Sequence, residues 1–181
     1  MKFVTGNKNK LEEAKAILQK NIERIDLDVD EIQSLDSNEV IIKKVEEIKK
    51  HYSKPFFCED VSVEFNALNG FPGPLIKFLV TTIKAKGLYK ILKDYEDKTA
   101  TAICSIGYFD GKQTHIFKGE LKGEIVKPKG ESAFGFDPVF KPIGKKETLA
   151  EMTKQEKNEI SHRMKALLKL KQYLESNTKT L

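Results

Sequence analysis

Pro55-Phe56-Phe57-Cys58 runs straight into Glu59-Asp60, and this stretch restricts the fold more than any other. Consecutive apolar residues with no polar face are the pattern of a buried strand, covered by other elements, and not of a half-exposed one. A chain of 181 residues with 39% hydrophobic content can supply one sizeable core for that purpose but not two comfortable domains. A single domain over residues 1–181 is expected. The paired acids mark the end of the buried strand, and side chains at strand ends can converge on one rim of a sheet.

The flanking sequence alternates strand and helix. Residues 2–5 read as a short strand, after which Leu11, Ala14, Ile17 and Leu18 recur at helical spacing, with Asn9 and Glu12 imitating a capping box. Ile25, Leu27 and Val29 alternate with acids as a half-exposed strand does, ending at Glu31. Asp36 and Glu39 can cap a helix running to about Lys50. Residues 66–74, rich in Gly, Pro and Asn, form a structured loop before helices over about 75–86 and 88–95, separated by Gly87. Residues 99–109 read as a strand, Asp110-Gly111 as a hairpin turn, and 113–117 and 121–126 as two further strands. Thr153 with Glu156 opens a last helical stretch, whose apolar face is Ile160, Met164, Leu167, Leu168 and Leu174. Strands interleaved with helices, followed by an antiparallel meander, imply an α/β fold with a mixed sheet and a cleft formed by loops at its strand ends.

Composition narrows the class further. Charged residues at 33% and only 6 prolines describe a folded chain. The net charge of +5 permits an anionic partner, whether nucleotide, nucleic acid or membrane surface, but the lysines are scattered as on a solvated surface. Cys58 and Cys104 lack the spacing of a zinc or redox motif and read as reduced core residues. No apolar run approaches the roughly 18 residues of a membrane span, and Met1 is followed too soon by Thr-Gly-Asn for a signal peptide. A cytoplasmic protein is expected, with no membrane partner.

Four places could carry chemistry. Thr5-Gly6-Asn7 lies between strand and helix, where free N–H groups and the helix dipole favour an anion, and Lys8 and Lys10 add cationic donors; an ordinary turn is the alternative. Glu31, Glu59 and Asp60 fall at strand ends, and carboxylates suit magnesium, which shares substrate phosphates and keeps waters; a strand that ends by reaching water is the alternative. Phe134-Gly135-Phe136-Asp137 could sandwich a planar base and accept from its edge, or simply pack in the core. His162 would project opposite the apolar face defined by Ile160, Met164 and Leu167; a break with Ser161 as N-cap would place His162 and Arg163 in the first turn of a new helix, and a continuous helix with a solvated polar face is the alternative.

Taken together, in order and over almost the whole chain, these stretches resemble the inosine triphosphate pyrophosphatase family. The matching pieces are Thr5-Gly6-Asn7-Lys8-Asn9-Lys10, Glu31-Ile32-Gln33, Lys44, Glu59-Asp60, Asn66-Ala67-Leu68 with Gly70-Phe71-Pro72-Gly73-Pro74, Phe134-Gly135-Phe136-Asp137-Pro138, Ala150-Glu151-Met152, Glu156-Lys157 and Ser161-His162-Arg163. The resemblance implies a long curved mixed sheet flanked by helices, two lobes with a central cleft, usually a homodimer, and magnesium-dependent conversion of ITP, dITP or XTP to the monophosphate and pyrophosphate. Manganese is the possible substitute. By position, Thr5, Gly6, Asn7 and Lys10 would hold the triphosphate with Lys44 nearby. Glu31 and Asp60 would engage the metal, and Asp60 would activate water. Phe134, Gly135, Phe136 and Asp137 would form the base pocket with His162 and Arg163, and Lys157 and Glu59 would also face substrate.

Two positions depart from the pattern. Many relatives carry Ser-Gly or another hydroxyl residue directly after Glu-Asp, where Val61-Ser62 stands here, so Ser62 is the candidate replacement for a hydroxyl at 61. Phe136 keeps a ring for stacking but lacks the Tyr or Trp polar group common there. Two rival readings are a hydrolase of modified pyrimidine triphosphates and a non-catalytic nucleic-acid-binding module; the latter predicts salt-sensitive binding without hydrolysis and gives no reason for the clustered acids.

Overall fold

The computed structural model describes residues 1–132 and 135–178. The elements run β1 (Lys2–Val4), α1 (Lys8–Leu18), β2 (Glu23–Ile25), α2 (Ser37–His51), β3 (Phe56–Phe65), β4 (Pro72–Gly73), α3 (Ile76–Thr82), α4 (Lys84–Leu92), β5 (Thr99–Phe109), β6 (Thr114–Ile125), β7 (Phe140–Pro142), α5 (Lys154–Ile160) and α6 (His162–Thr178). One mixed sheet has the order β2-β1-β3-β5-β6-β7, with β4 also paired to β3. β2, β1 and β3 are parallel, and every later pairing is antiparallel.

The apolar run does make a doubly covered strand: Phe56, Phe57 and Cys58 are fully buried. Phe57, Cys104 and Ile106 pack under α1 and α6 through Ala14, Leu167 and Leu170, while Phe56 and Cys58 on the opposite face meet Ile41, Val45 and Ile48 of α2. Farther along, Val63, Phe65, Ala102 and Leu121 pack against Leu88 and Leu92 of α4. Both cysteines are buried and free. Among the described residues, no helix is long and apolar enough to cross a membrane.

Several boundaries differ from expectation for physical reasons. β3 does not stop at Glu59-Asp60 but pairs with β5 from Phe56↔Phe109 to Phe65↔Ala100; Glu59 meets Arg163 and Lys10 inside the protein and need not reach water. The two strands expected on either side of Gly119 are one strand, since Gly119 keeps its partner Cys104. That glycine is there for approach: a Cβ on it would sit 2.2 Å from the His162 carbonyl and 2.4 Å from the Ala166 nitrogen of α6. Gly87 lies within α4, where a Cβ would meet the Ile83 Cβ at 2.4 Å, and the break falls instead at Lys84, whose φ is 59°. β2 ends at Ile25, so Leu27 and Val29 belong to an irregular segment packed beside α2.

The caps explain where the site helices begin. Asn7, not Asn9, starts α1, its side-chain oxygen accepting from the N–H groups of Asn9 (2.9 Å) and Lys10 (3.3 Å). Asp36 caps α2 as expected, whereas Glu39 accepts from the Ser34 hydroxyl at 2.6 Å. Thr153 and Glu156 form both bonds of a capping box. The expected break occurs at Ser161, whose ψ of 154° ends α5 and whose hydroxyl accepts from the Met164 N–H at 3.0 Å. Gly119 thus fixes the distance between β6 and the start of α6, so Gly119→Ala should lower stability by about 1–3 kcal/mol. Urea denaturation of the purified variant measures this directly.

Candidate active site

The edge of β3 has a gap. β1 pairs with Phe56 and Phe57, β4 with Val63 and Glu64, and between them β3 has no strand partner on that side. Successive side chains of a strand point to opposite faces, so Glu59 and Asp60 straddle the sheet at this gap. Both line one cleft of about 720 Å³, together with Thr5, Gly6, Asn7, Lys10, Glu31, Lys44, Gly135, Phe136, Asp137, Lys157, His162 and Arg163. Of the residues assigned to the site from the sequence, Phe134 lies outside the described residues, and Lys8, offered beside Lys10 as a donor, does not line the cleft. Val61 also lines the cleft, but Ser62 does not: it shares the face of Asp60 and is 1% exposed, so it cannot replace a hydroxyl at 61.

One part of the cleft mixes lysines with acids, Glu31 and Asp60 standing beside Asp26, Asp28 and Asp30. The Thr5 hydroxyl accepts from the Asn7 N–H at 3.1 Å, which sets the turn before α1 and aims the amino end of that helix at the cleft. Lys44 pairs with one oxygen of Glu31 and Lys77 approaches the other at 3.4 Å. Burial works against the charge on Glu31, yet the two lysines hold its carboxyl below the ordinary range. Asp60 behaves oppositely. Its burial pushes it up to about 6, with Glu31 and Glu59 adding to the effect and Lys44 and Lys10 opposing it, and its Oδ2 is enclosed without a protein partner.

The other part is an interlocked set of charges. Arg163 Nε donates to both oxygens of Glu59 (3.1 and 3.0 Å), its Nη2 donates to Oε1 (2.9 Å), and its Nη1 reaches Glu13 at 2.5 Å. Lys10 Nζ lies 3.0 Å from the same Glu59 carboxylate. Burial opposes ionisation of Glu59, but Arg163 and Lys10 bring it down to about 2. Lys157 binds Asp137 Oδ2 at 2.6 Å, as does the Ser132 hydroxyl, and Asp137 Oδ1 has no partner among the described residues. His162 is fully buried: burial first, then Arg163 and Lys157, hold it well below its usual range, so its ring is neutral and neither nitrogen has a protein partner. Phe136 packs in the core and also faces His162, ring centroids 5.9 Å apart.

Glu13 and Lys77 were missed from the sequence. Glu13 follows Lys10 by three residues, so the two share a face of α1, and that spacing was the available signal. Lys77 had none. Asp60 and Glu31 present hard oxygen donors, and the described residues hold no cluster of three or more His, Cys, Asp or Glu. Two carboxylates beside lysines fit a magnesium ion that completes its shell with water and phosphate, and do not fit an all-protein cage.

The sequence matches the Ham1 family over residues 1–173. It is 40% identical over 178 residues to the inosine triphosphate pyrophosphatase of Schizosaccharomyces pombe, covering 96% of this chain and 94% of that one. It is 44% identical over 176 residues to that of Ajellomyces capsulatus, covering 95% and 94%. Among solved structures, the Ham1 protein of Staphylococcus aureus superposes with a TM-score of 0.79 at 29% identity, covering 98% of this chain and 100% of that one. A HAM1 protein from Coxiella burnetii gives 0.81 at 29%, covering 97% and 99%. With the matched region taking in every residue of the cleft, the chain belongs to the Ham1 family.

Proposed function

We propose that this chain hydrolyses non-standard purine nucleoside triphosphates (ITP, dITP and XTP) to the monophosphate and pyrophosphate, clearing damaged nucleotides from the precursor pool. The observation that carries the proposal is a single cleft lined both by a helix amino end with lysines and by a pair of buried, unpartnered polar groups, Asp137 Oδ1 and the His162 ring. The first is suited to a triphosphate and the second to the edge of a base. Cytosolic residence, expected from two free buried cysteines, and a homodimeric state, which rests on the family resemblance, complete the proposal.

In this mechanism Thr5, Gly6 and Asn7 hold the triphosphate at the start of α1, and Lys10 and Lys44 offset its charge. Asp60 takes a proton from the water that attacks the α-phosphorus, and pyrophosphate leaves; a carboxylate pushed up to about 6 is ionised at neutral pH yet basic enough for the task. Magnesium, or manganese in its place, held by Asp60 and Glu31 with phosphate oxygens, would supply neutralisation of the charge on the triphosphate. Lys77 and Lys44 keep Glu31 ionised for that role.

Base selection follows from hydrogen-bond polarity. Hypoxanthine and xanthine offer an N1–H donor and an O6 acceptor, and adenine offers the reverse. Asp137 Oδ1 accepts from N1–H, and the neutral His162 ring donates from one nitrogen to O6. With adenine Asp137 Oδ1 faces the N1 acceptor and stays buried and unpaired, a kind of mismatch that can reach roughly 10⁴-fold in discrimination; the neutral imidazole, with one donor and one acceptor nitrogen, favours O6 only in the tautomer that donates to it. Lys157 pairs with Asp137 and holds it in place, while Arg163, engaged by Glu59 and Glu13, helps to keep His162 neutral.

Hydrolysis of ITP in ¹⁸O-water tests the chemistry: the label should appear in IMP with unlabelled pyrophosphate released, whereas label in pyrophosphate or release of orthophosphate would contradict attack at the α-phosphorus. Asp60→Asn should cut turnover by ~10²-fold or more. It should also stabilise the metal-free protein. Because the folded value of about 6 lies above the ordinary 3.8, protonated Asp60 favours folding at low pH, and that contribution is lost as pH rises through 6. Urea titrations should therefore find the variant more stable by up to about 3 kcal/mol at pH 8, with the advantage gone below pH 4.

A further inference from the structure

Three buried oxygens without protein partners lie on one face of the sheet: Asp60 Oδ2, Ser62 Oγ and Ser105 Oγ. The ladder places Ser105 directly opposite Asp60, and Lys118 directly opposite Ser105 on the next strand. Strand alternation puts Ser62 on the same face, two residues beyond Asp60. This is the face covered by α2, where Cys58 and Phe56 pack on Ile41 and Val45. Ser62 and Ser105 are each 1% exposed. A polar row, Asp60, Ser105 and Lys118, therefore crosses a sheet face that is otherwise largely apolar. Its outer end is tied down, since Lys118 Nζ donates to the hydroxyl of Ser37 at the start of α2 at 2.7 Å.

A buried hydroxyl without a partner costs about 1–3 kcal/mol, and alanine in either place would avoid that cost. The serines are explained if they bond to one another's neighbourhood and not to solvent. Residues directly opposite in an antiparallel pair have Cβ atoms about 5 Å apart, so rotation of the Ser105 side chain brings its hydroxyl within donor distance of the Asp60 carboxylate. We propose that Ser105 is a positioning residue for Asp60: its hydroxyl donates to the enclosed Oδ2 and thereby turns the other carboxylate oxygen toward the cleft. Ser62, beside them, completes the hydrogen bonding of that enclosed pair directly or through one internal water. The departure at Val61-Ser62 then has a use, because the hydroxyl absent from the cleft wall at 61 stands behind the carboxylate at 62.

The inference rests on the proposed hydrolysis, and the test separates the two. Ser105→Ala, Ser105→Cys and Ser105→Thr are compared with wild type for kcat and KM on ITP with Mg²⁺, and for Mn²⁺ affinity of the nucleotide-free protein by electron paramagnetic resonance. Cysteine keeps the volume and offers only a weak donor; threonine keeps the hydroxyl. The expected result is a kcat lowered about tenfold in the Ala and Cys variants with KM within about twofold, several-fold weaker Mn²⁺ binding in both, and near wild-type values for Thr. The inference is overturned if Ala and Cys match wild type in kcat and Mn²⁺ affinity, or if Thr falls as far as Ala. Wild type that releases no pyrophosphate from ITP would sink the hydrolysis reading instead, and the Mn²⁺ series would still decide whether Ser105 positions Asp60.

Discussion

The buried pairing of Glu59 with Arg163 is the contact on which the cleft depends. A carboxylate with a 1% exposed side chain at the middle of a central strand is sustainable only if its charge is met at once, and Arg163 meets it with three hydrogen-bond contacts while Lys10 adds a second cation. Glu13 then takes the free side of the guanidinium, and Lys157 and Asp137 extend the set, giving three acids and three bases that link α1, β3, α5 and α6. Deleting one member of such a set strands a buried charge, at about 3–5 kcal/mol, whereas the same volume filled by apolar side chains would cost little. The network is therefore better understood as a way of fixing geometry than as a source of stability.

What it fixes is the relation between two ends of a chain. Lys10 and the start of α1 come from the first residues, His162 and Arg163 from the last helix, and Glu59 joins them from below. Gly119 permits α6 to lie close enough for the contact to form, its hydrogen in the place where any Cβ would strike the His162 carbonyl. The gap in the edge of β3 does the rest. It lets adjacent acids serve one cleft from opposite faces, Glu59 as the internal counter-charge and Asp60 as the group left with unmet hydrogen-bonding capacity.

Much of this was legible in the sequence, and the reasons are local. Ser161 offered itself as the cap of a new helix because His162 could not share the apolar face of Ile160 and Met164, and the structure decides for that break over a continuous helix. Phe56, Phe57 and Cys58 announced a strand covered on both sides. Long-range compensation was not legible. Nothing near Glu59 in the chain shows that Arg163, 104 residues away, will neutralise it, so β3 was expected to end where it in fact continues. Gly119 and Gly87 looked like breaks because their reason for being glycine lies on another element or another turn. Ser105 carried no signal at all, since only the strand register sets it opposite Asp60.

In the proposed reading one cleft recognises a 6-oxo purine and cleaves its triphosphate, and Asp137 Oδ1, able only to accept, discriminates against adenine. Steady-state pyrophosphate release by the wild-type protein with magnesium, on ITP and ATP under the same conditions, tests it most directly. The account predicts a kcat/KM for ITP exceeding that for ATP by a factor on the order of 10²–10⁴, and equal efficiencies for the two nucleotides, or no pyrophosphate from either, would contradict it.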